Sequence, residues 1–207
     1  MIARLIPAFV LVLVLTVAAP AAMADGHLDR SKEFIRDLTD EAVETITDES
    51  LTSEQRTEKF RTLFRKGFAV DGIAQFVAGR YWRGASAQER EEYLVLFEDV
   101  VVDEWVDRLF SQYDGQRLKV RGATDATVPR TPESAALVAT DLFTGPSSSI
   151  SVEWRVASQG EVIKVTDVKV DGISLATTQR QDFTSHAKAN GRKFSAIIEK
   201  LREKRGL

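Results

Sequence analysis

The stretch that decides the fold is residues 148–175, SSISVEWRVASQGEVIKVTDVKVDGISL. Apolar and polar residues alternate through its first half, and this period of two is typical of a half-buried β-strand. Gln159-Gly160 predicts a turn into another strand, Val162 to Val170. The apolar alternation of that strand slips by one residue between Val165 and Val168. Such a slip predicts a β-bulge, or a strand that buries different faces along its length.

Two further strands are predicted just before this stretch. Leu118 and Val120 begin one strand, and residues 134–143 form the next. Gly145-Pro146 predicts the turn that follows. Neighbouring strands joined by short turns form an antiparallel meander, here of about four strands.

Helical periodicity flanks the meander on both sides. Apolar residues recur at three- and four-residue steps between residues 34 and 110, and again between residues 183 and 201, which predicts amphipathic helices. Asp71 is predicted to cap a short helix that Gly79 ends. The predicted capping boxes of two other helices are the pairs Thr52/Gln55 and Ser86/Glu89.

The order of these elements favours the α+β class. The strands are bunched together rather than alternating with helices. We therefore expect a curved antiparallel sheet of about four strands, with helices packed on its concave side.

The N-terminus has the three parts of a secretory signal. Arg4 is the only charged residue before Asp25, the apolar run spans residues 5–19, and Ala22-Met23-Ala24 is a signal-peptidase site. A membrane anchor is the alternative, but a spanning helix needs roughly 20 apolar residues. We expect a signal peptide at residues 1–24 and a single soluble domain at residues 25–207.

Composition narrows the class of protein further. The formal net charge of −3 argues against nucleic acid, which calls for a basic face. The chain has no cysteine, so it relies on neither disulfides nor thiol chemistry. Export without disulfides suits a bacterial periplasmic protein with a sufficient core.

Catalytic groups are scarce in the sequence. His27 is expected in a frayed N-terminus and His186 on a polar helix face, and no metal-ligand spacing surrounds either histidine. Ser174 lacks the flanking glycines of a nucleophile elbow. Asp167 and Asp171 lie four residues apart on a strand, which at roughly 3.3 Å per residue is too far for a glycosidase pair. We predict no cofactor, no metal and no catalysis.

Several segments resemble one family when they are read in order. Residues 79–83, GRYWR, precede residues 86–90, SAQER, then Leu96-Phe97, and then Tyr113-Asp114-Gly115. The strongest match is residues 164–175, KVTDVKVDGISL, continuing through Arg180 to Phe183. Together these segments resemble the MlaC, or toluene-tolerance auxiliary, family over roughly residues 30–204. The chain departs from the family pattern at Ala78, Ile163 and Gln179.

The resemblance implies a periplasmic lipid carrier in which helices and a curved sheet enclose an apolar pocket for phospholipid acyl chains. It also implies two partners, an inner-membrane Mla-type ABC transporter complex and an outer-membrane lipoprotein complex. A sister branch is associated with hopanoids, so a hopanoid is the alternative cargo. Nothing in the sequence demands more than a monomer.

Ten apolar residues are candidates for the pocket wall, and each could equally be ordinary core packing. Trp82 could instead brace a helix junction. Arg180 could pair with Asp167 or Asp171, or could meet a phosphate at the pocket mouth. The ten candidates are Phe76, Val77, Trp82, Phe97, Val101, Trp105, Val152, Trp154, Val168 and Val170.

Two other functions remain open at this point. A hydrolase or isomerase on the same kind of domain would need an acid/base pair in the pocket. A non-catalytic adaptor would have a filled core and no ligand. The basic residues of segment 56–66 could dock an acidic partner, although a solvated face is the commoner meaning of such a run.

Overall fold

The computed structural model describes the backbone of residues 21–207 and the side chains of residues 26–108 and 111–207. Most of the predicted signal peptide therefore lies outside the described residues. The helices are α1 Ala21–Thr47, α2 Ser53–Gly67, α3 Val70–Ala78, α4 Ala87–Gln112, α5 Leu175–Ala189 and α6 Ser195–Arg205, with a 3₁₀ helix at Gly79–Gly84. The strands are β1 Arg117–Asp125, β2 Ser134–Gly145, β3 Ser148–Gln159, β4 Val162–Val170 and β5 Ile173–Ser174.

The five strands form one antiparallel sheet in the order β1-β2-β3-β4-β5. The α+β class and the meander are confirmed. The prediction of about four strands missed β5, which is too short to show any alternation. This two-residue strand pairs with the end of β4 and leads directly into α5.

The phase slip in β4 is a β-bulge. Arg155 lies opposite Asp167, but Val156 lies opposite Val165, so Thr166 is an extra residue with no partner in the register. The extra residue returns both halves of β4 to the same face, because a bulge resets the alternation. Val165 and Val168 are consequently both buried.

Both capping boxes are confirmed at the starts of their helices. At α2, the Gln55 backbone N–H donates to Thr52 Oγ1 at 3.2 Å, and the Thr52 N–H donates to Gln55 Oε1 at 2.9 Å. Ser86 and Glu89 make the same reciprocal pair before α4. The prediction that Asp71 caps α3 was wrong, since the cap residue is Ala69, which has no capping side chain. The Ala69 N–H instead donates to the Val165 carbonyl at 2.9 Å, so the sheet edge anchors this junction.

The N-terminal half of α1 is tied to the sheet. The Arg30 guanidinium donates to the Gly160 carbonyl at 2.8 Å, and His27 Nε2 lies 3.3 Å from an Asp125 carboxylate oxygen. The expectation that His27 sits in a frayed terminus was therefore wrong. The sequence could not show these contacts, because they come from the end of β1 and from the turn after β3, far along the chain.

The buried apolar residues form two clusters. The sheet cluster joins α1 and α2 to one face of the sheet, which we call the inner face. The helical cluster lies among α2, α3, α4, α5 and α6. Ala42 and Phe68 pack against both clusters. The sheet cluster consists of Ile35, Leu38, Leu63, Val138, Val152, Trp154, Val156, Val165 and Val168.

The basic face of α2 is occupied by acids of α4. Arg61, with a side chain only 14% exposed, contacts Asp99 at 2.7 Å and Asp103 at 3.7 Å. Arg65 contacts Glu98 at 2.7 Å. Arg205 of α6 reaches Asp99 and Asp103 from the other side. Arg61 and Arg65 therefore match neither expectation for the basic segment, a docking face for an acidic partner or a solvated face. Their charges pair with acids of α4 and hold α2 against that helix.

Gly79 occupies a backbone position that a side chain would strain. Its φ is +58° with ψ of −130°, and a Cβ there would lie 3.0 Å from Arg180 Nε. We expect Gly79→Ala to lower the free energy of unfolding by about 1–3 kcal/mol. Gly72→Ala is the matched control, since Gly72 is helical and unobstructed, and it should raise the stability by about 0.5–1 kcal/mol. Urea unfolding of both variants checks the pair, and equal effects would contradict the strain argument.

Tyr93 is fully buried in the helical cluster, where its hydroxyl donates to the Ala74 carbonyl at 2.8 Å. Burial raises the pKa of this phenol well above its ordinary value. In the unfolded chain the phenol titrates near about pH 10, so only that state loses the proton there. Stability is unaffected by this group at lower pH and falls above about pH 10, by up to about 1.4 kcal/mol per pH unit.

Comparison of Tyr93→Phe with the wild type isolates this effect. The variant should show a shallower loss of unfolding free energy above about pH 10 in urea titrations. Val95→Ala, which removes no titratable group from an exposed position of the same helix, should keep the wild-type slope. An unchanged slope in Tyr93→Phe would mean that other groups govern the alkaline transition.

Candidate functional site

The inner face of the sheet is a graded apolar surface. Its side chains fall into cross-strand rows because paired residues share a face. The row Val138, Trp154 and Val168 is buried. The next row, Val120, Thr140, Val152 and Val170, is buried in its middle and half-buried at its ends, and the row Leu118, Leu142 and Ile150 is half-buried throughout.

The gradient follows from how the helices pack. Helix α1 packs on β1, β2 and β3, and α2 packs on β4. Helix α4 packs mainly on α2, α3 and α6. The half-buried rows therefore mark the end of the inner face that the helices cover least. We call the half-buried side chains Leu118, Val120, Leu142, Ile150 and Val170 the open end of the inner face.

The polar atoms on this face are satisfied internally. The Trp154 indole N–H donates to Thr140 Oγ1 at 3.0 Å, and the Thr140 hydroxyl donates to the Val152 carbonyl at 2.9 Å. Both side chains thereby avoid the cost of an unpaired buried polar group. The face presents hydrocarbon rather than hydrogen-bonding groups, which suits an apolar ligand.

The structure divides the ten predicted wall residues between the two clusters. Val77 and Phe97 are buried in the helical cluster, and Trp82, Val101 and Trp105 pack against it. The four sheet residues all belong to the inner face: Val152, Trp154 and Val168 are buried, and Val170 is half-buried at the open end. Phe76 lies outside both clusters and is 44% exposed. Their contact with a ligand stays a prediction.

Trp82 sits among the rings of the helical cluster. Its ring centroid lies 6.0 Å from that of Tyr93 and 6.2 Å from that of Phe194. The Arg90 guanidinium lies over the indole at 5.2 Å. These contacts favour the alternative that Trp82 braces the helix junction.

The acidic residues near β4 are structural. Asp167 Oδ1 accepts the backbone N–H groups of Val168 and Ala176, at 2.9 and 3.2 Å, and so fixes the start of α5. Asp171, with φ of +48°, accepts the Ser151 N–H at 3.1 Å and forms the turn between β4 and β5.

Arg180 does not pair with either aspartate, so that prediction was wrong. Among the described residues its guanidinium makes no ion pair and lies over the Phe76 ring, 4.7 Å from the centroid. A cation above an aromatic face is attracted by the ring quadrupole. The Asp167 oxygen is occupied by main-chain donors, and Phe76 offers Arg180 a surface instead.

Sequence reasoning missed four residues of the open end. Leu118, Val120, Leu142 and Ile150 were recognised only as strand residues or not at all. A signal was present for Ile150, because it shares the alternation of Val152 and Trp154 and must therefore lie on the same face.

The inner-face side chains named above, all within the described residues, include no titratable group. Ser86 lowers the pKa of Glu89 through its backbone and side-chain hydrogen bonds, and Thr127 lowers the pKa of Asp125 in the same way. Both carboxylates serve turns or caps. No group of three His, Asp or Glu side chains in the described part of the chain could hold a metal ion.

The apolar inner face, whose few polar atoms are satisfied internally, has the composition typical of a small-molecule ligand site. The model of the MlaC protein family matches residues 36–203. The match covers more than half of the chain, and the chain therefore belongs to the MlaC family.

The solved structures agree on the fold. The chain is similar to the phospholipid-binding protein of Ralstonia solanacearum, whose structure was determined in complex with a phospholipid. The TM-score is 0.67 at 15% identity, over 84% of this chain and 95% of that chain. The curated proteins give no significant match. Among the described helices, none is both long and apolar enough to cross a bilayer.

Proposed function

We propose that this protein is a periplasmic carrier that binds phospholipid acyl chains against the inner face of the sheet. The observation that carries the proposal is the graded apolar face, buried at Trp154 and half-open at Ile150 and Val170. Membership of the MlaC family and the likeness to a phospholipid-binding protein support it. In this proposal the acyl chains enter at the open end and lie in an apolar pocket between the sheet and α4.

The energetics explain why such a carrier needs hydrocarbon walls. A diacyl lipid exposes roughly 30 methylene and methyl groups, each costing about 0.8 kcal/mol in water. A protein that moves the lipid through water must cover surface worth on the order of 20 kcal/mol. Apolar residues such as Val152 and Ile150 provide that cover, and no catalytic group is required.

The partners follow from the same proposal. The protein would receive or deliver lipid at an inner-membrane Mla-type ABC transporter complex and at an outer-membrane lipoprotein complex, as a monomer. The signal-like residues 1–24 and the lack of cysteine support export to the periplasm.

The test is native mass spectrometry of the protein purified from periplasm, with identification of the released lipid. We expect one phospholipid per protein chain. A hopanoid would keep the carrier function and change the cargo. Folded protein that is empty and takes up no phospholipid from vesicles would favour the adaptor, and turnover of an offered lipid would favour the hydrolase.

A further inference from the structure

A separate cleft lies on the opposite, outer face of the sheet, with a volume of about 520 Å³. Arg155, Ala157 and Lys164 line it, and they alternate along β3 and β4 with the buried Val156 and Val165 of the inner face. Helix α3 forms the other wall. The cleft therefore does not communicate with the inner face through the sheet.

Helix α3 presents two apolar faces. The face formed by Val70, Ala74, Val77 and Ala78 is buried in the helical cluster. A second stripe, at positions 69, 72, 73 and 76, lines the cleft as Ala69, Gly72, Ile73 and Phe76. The spacing i, i+3, i+4, i+7 is that of a helix face meant to contact something apolar. Ile73 is half-buried and Phe76 is 44% exposed, so this stripe is incompletely covered.

Positive charge borders the stripe. The half-buried Arg155 side chain makes no hydrogen bond or ion pair within the described residues. Lys164 Nζ donates to the Arg65 and Lys66 carbonyls, both at 2.7 Å, which leaves its charge without a carboxylate. Arg180 lies over Phe76.

Two acids, Asp167 and Glu133, line the cleft beside its two cations, Arg155 and Lys164. Asp167 Oδ1 is held by two backbone N–H groups. Glu133 is exposed at the rim, where water and salt screen it. The cleft thus joins an apolar wall to the Arg155 guanidinium, which no carboxylate contacts within the described residues.

We propose that this cleft binds a small amphipathic anion, namely a single acyl chain with a carboxylate or phosphate group. The chain lies on Ile73 and Phe76, and the anionic group meets Arg155. The volume is within the range of small-ligand sites, about 300–1,000 Å³. The site lies on the other face of the sheet from the proposed carrier site and does not rest on that function.

Gly72 gives a direct test. It is helical, and a Cβ there would meet only Ala69 Cβ at 3.9 Å. Gly72→Leu fills the cleft at little cost to the helix, because leucine is the better helix former. Titration calorimetry with dodecanoate should show binding to the wild type, at least tenfold weaker binding to Gly72→Leu, and binding to Gly72→Ala within twofold of the wild type. Ala157→Leu fills the cleft from the sheet side and should act like Gly72→Leu, which provides a second folded variant.

Three further measurements identify the ligand chemistry and the face of the sheet that binds it. Arg155→Gln should weaken dodecanoate binding at least fivefold and leave binding of the neutral dodecanol unchanged. Lauroyl lysophosphatidylglycerol in place of dodecanoate distinguishes a phosphate-bearing ligand from a fatty acid. Ile150→Glu, which alters the inner face, should retain the dodecanoate binding that Gly72→Leu removes. The proposal is overturned if the wild type binds neither probe, or if Ile150→Glu loses binding that Gly72→Leu retains.

Discussion

Ile150→Glu protein, purified in the same way as the wild type, is expected to be folded but to carry at least tenfold less bound phospholipid. Ile150 is half-buried at the open end of the inner face, in the row with Leu118 and Leu142. In the empty protein a glutamate there can stay hydrated. In the proposed complex the glutamate would face acyl chains. A tenfold loss of affinity corresponds to about 1.4 kcal/mol, and burying an unpaired carboxylate costs several times as much.

Ser149→Glu is the matched control for this experiment. Ser149 is the neighbouring residue of β3, exposed and on the outer face. The Ser149→Glu substitution introduces the same charge into the same strand without touching the inner face. Lipid per protein, measured by mass spectrometry after purification, should be unchanged in Ser149→Glu. Equal lipid in both variants would remove the open end from the proposed binding surface.

Tyr93→Ala is expected to lower the free energy of unfolding by about 3–5 kcal/mol, as other large buried aromatic truncations do. Tyr93 is fully buried, and its ring lies 5.7 Å from Phe97 and 5.1 Å from Phe194 between centroids. Truncation leaves a cavity where three rings meet and also removes the hydrogen bond to Ala74. A loss of this size is a large share of the stability of an ordinary domain.

Val95→Ala on the same helix is the control. Val95 is 60% exposed, so its truncation should change stability by less than about 0.5 kcal/mol. Urea unfolding followed by circular dichroism measures both variants. A loss below about 1 kcal/mol for Tyr93→Ala would show that the helical cluster closes over the cavity.

The sheet was largely predictable because its information is local. Alternation in β3 and the slip before Val168 are properties of a few adjacent residues, and the structure shows the bulge at Thr166 that they imply. The start of α3 was not predictable, since the Ala69 N–H is anchored by the Val165 carbonyl, nearly a hundred residues away. An acidic residue in the first turn gave a false signal.

For the candidate site, the sequence predicted which sheet residues take part but not which end of the inner face is open. The sequence proposed Val152, Trp154, Val168 and Val170 as wall candidates, and the register of β3 and β4 places all four on the inner face. Which end of that face stays open depends on how helices α1 and α4 pack, and this is decided by contacts distant in sequence. For the same reason, five of the six wall residues suggested on the helices belong to the helical cluster or pack against it, and Phe76 lies outside both clusters.

The pairing of charged side chains was the feature least predictable from the sequence. The basic run in α2 was ambiguous between a docking face and a solvated one. Its partners Glu98 and Asp99 lie on α4, more than thirty residues later, and only the packing of the two helices brings them together. Arg180 illustrates the converse, because an aromatic ring took the place of the expected carboxylate.

The two-cluster core also bears on how the protein deforms. Phe68 packs against both clusters, stacks on Phe64 at 4.4 Å, and forms a bridge to Val165 at the sheet edge. Displacement of the helical cluster relative to the sheet cluster would therefore strain Phe68 and its neighbours while leaving the packing inside each cluster intact. We therefore expect a bulkier ligand to be accommodated by a shift of the two clusters about Phe68, with the packing inside each cluster preserved.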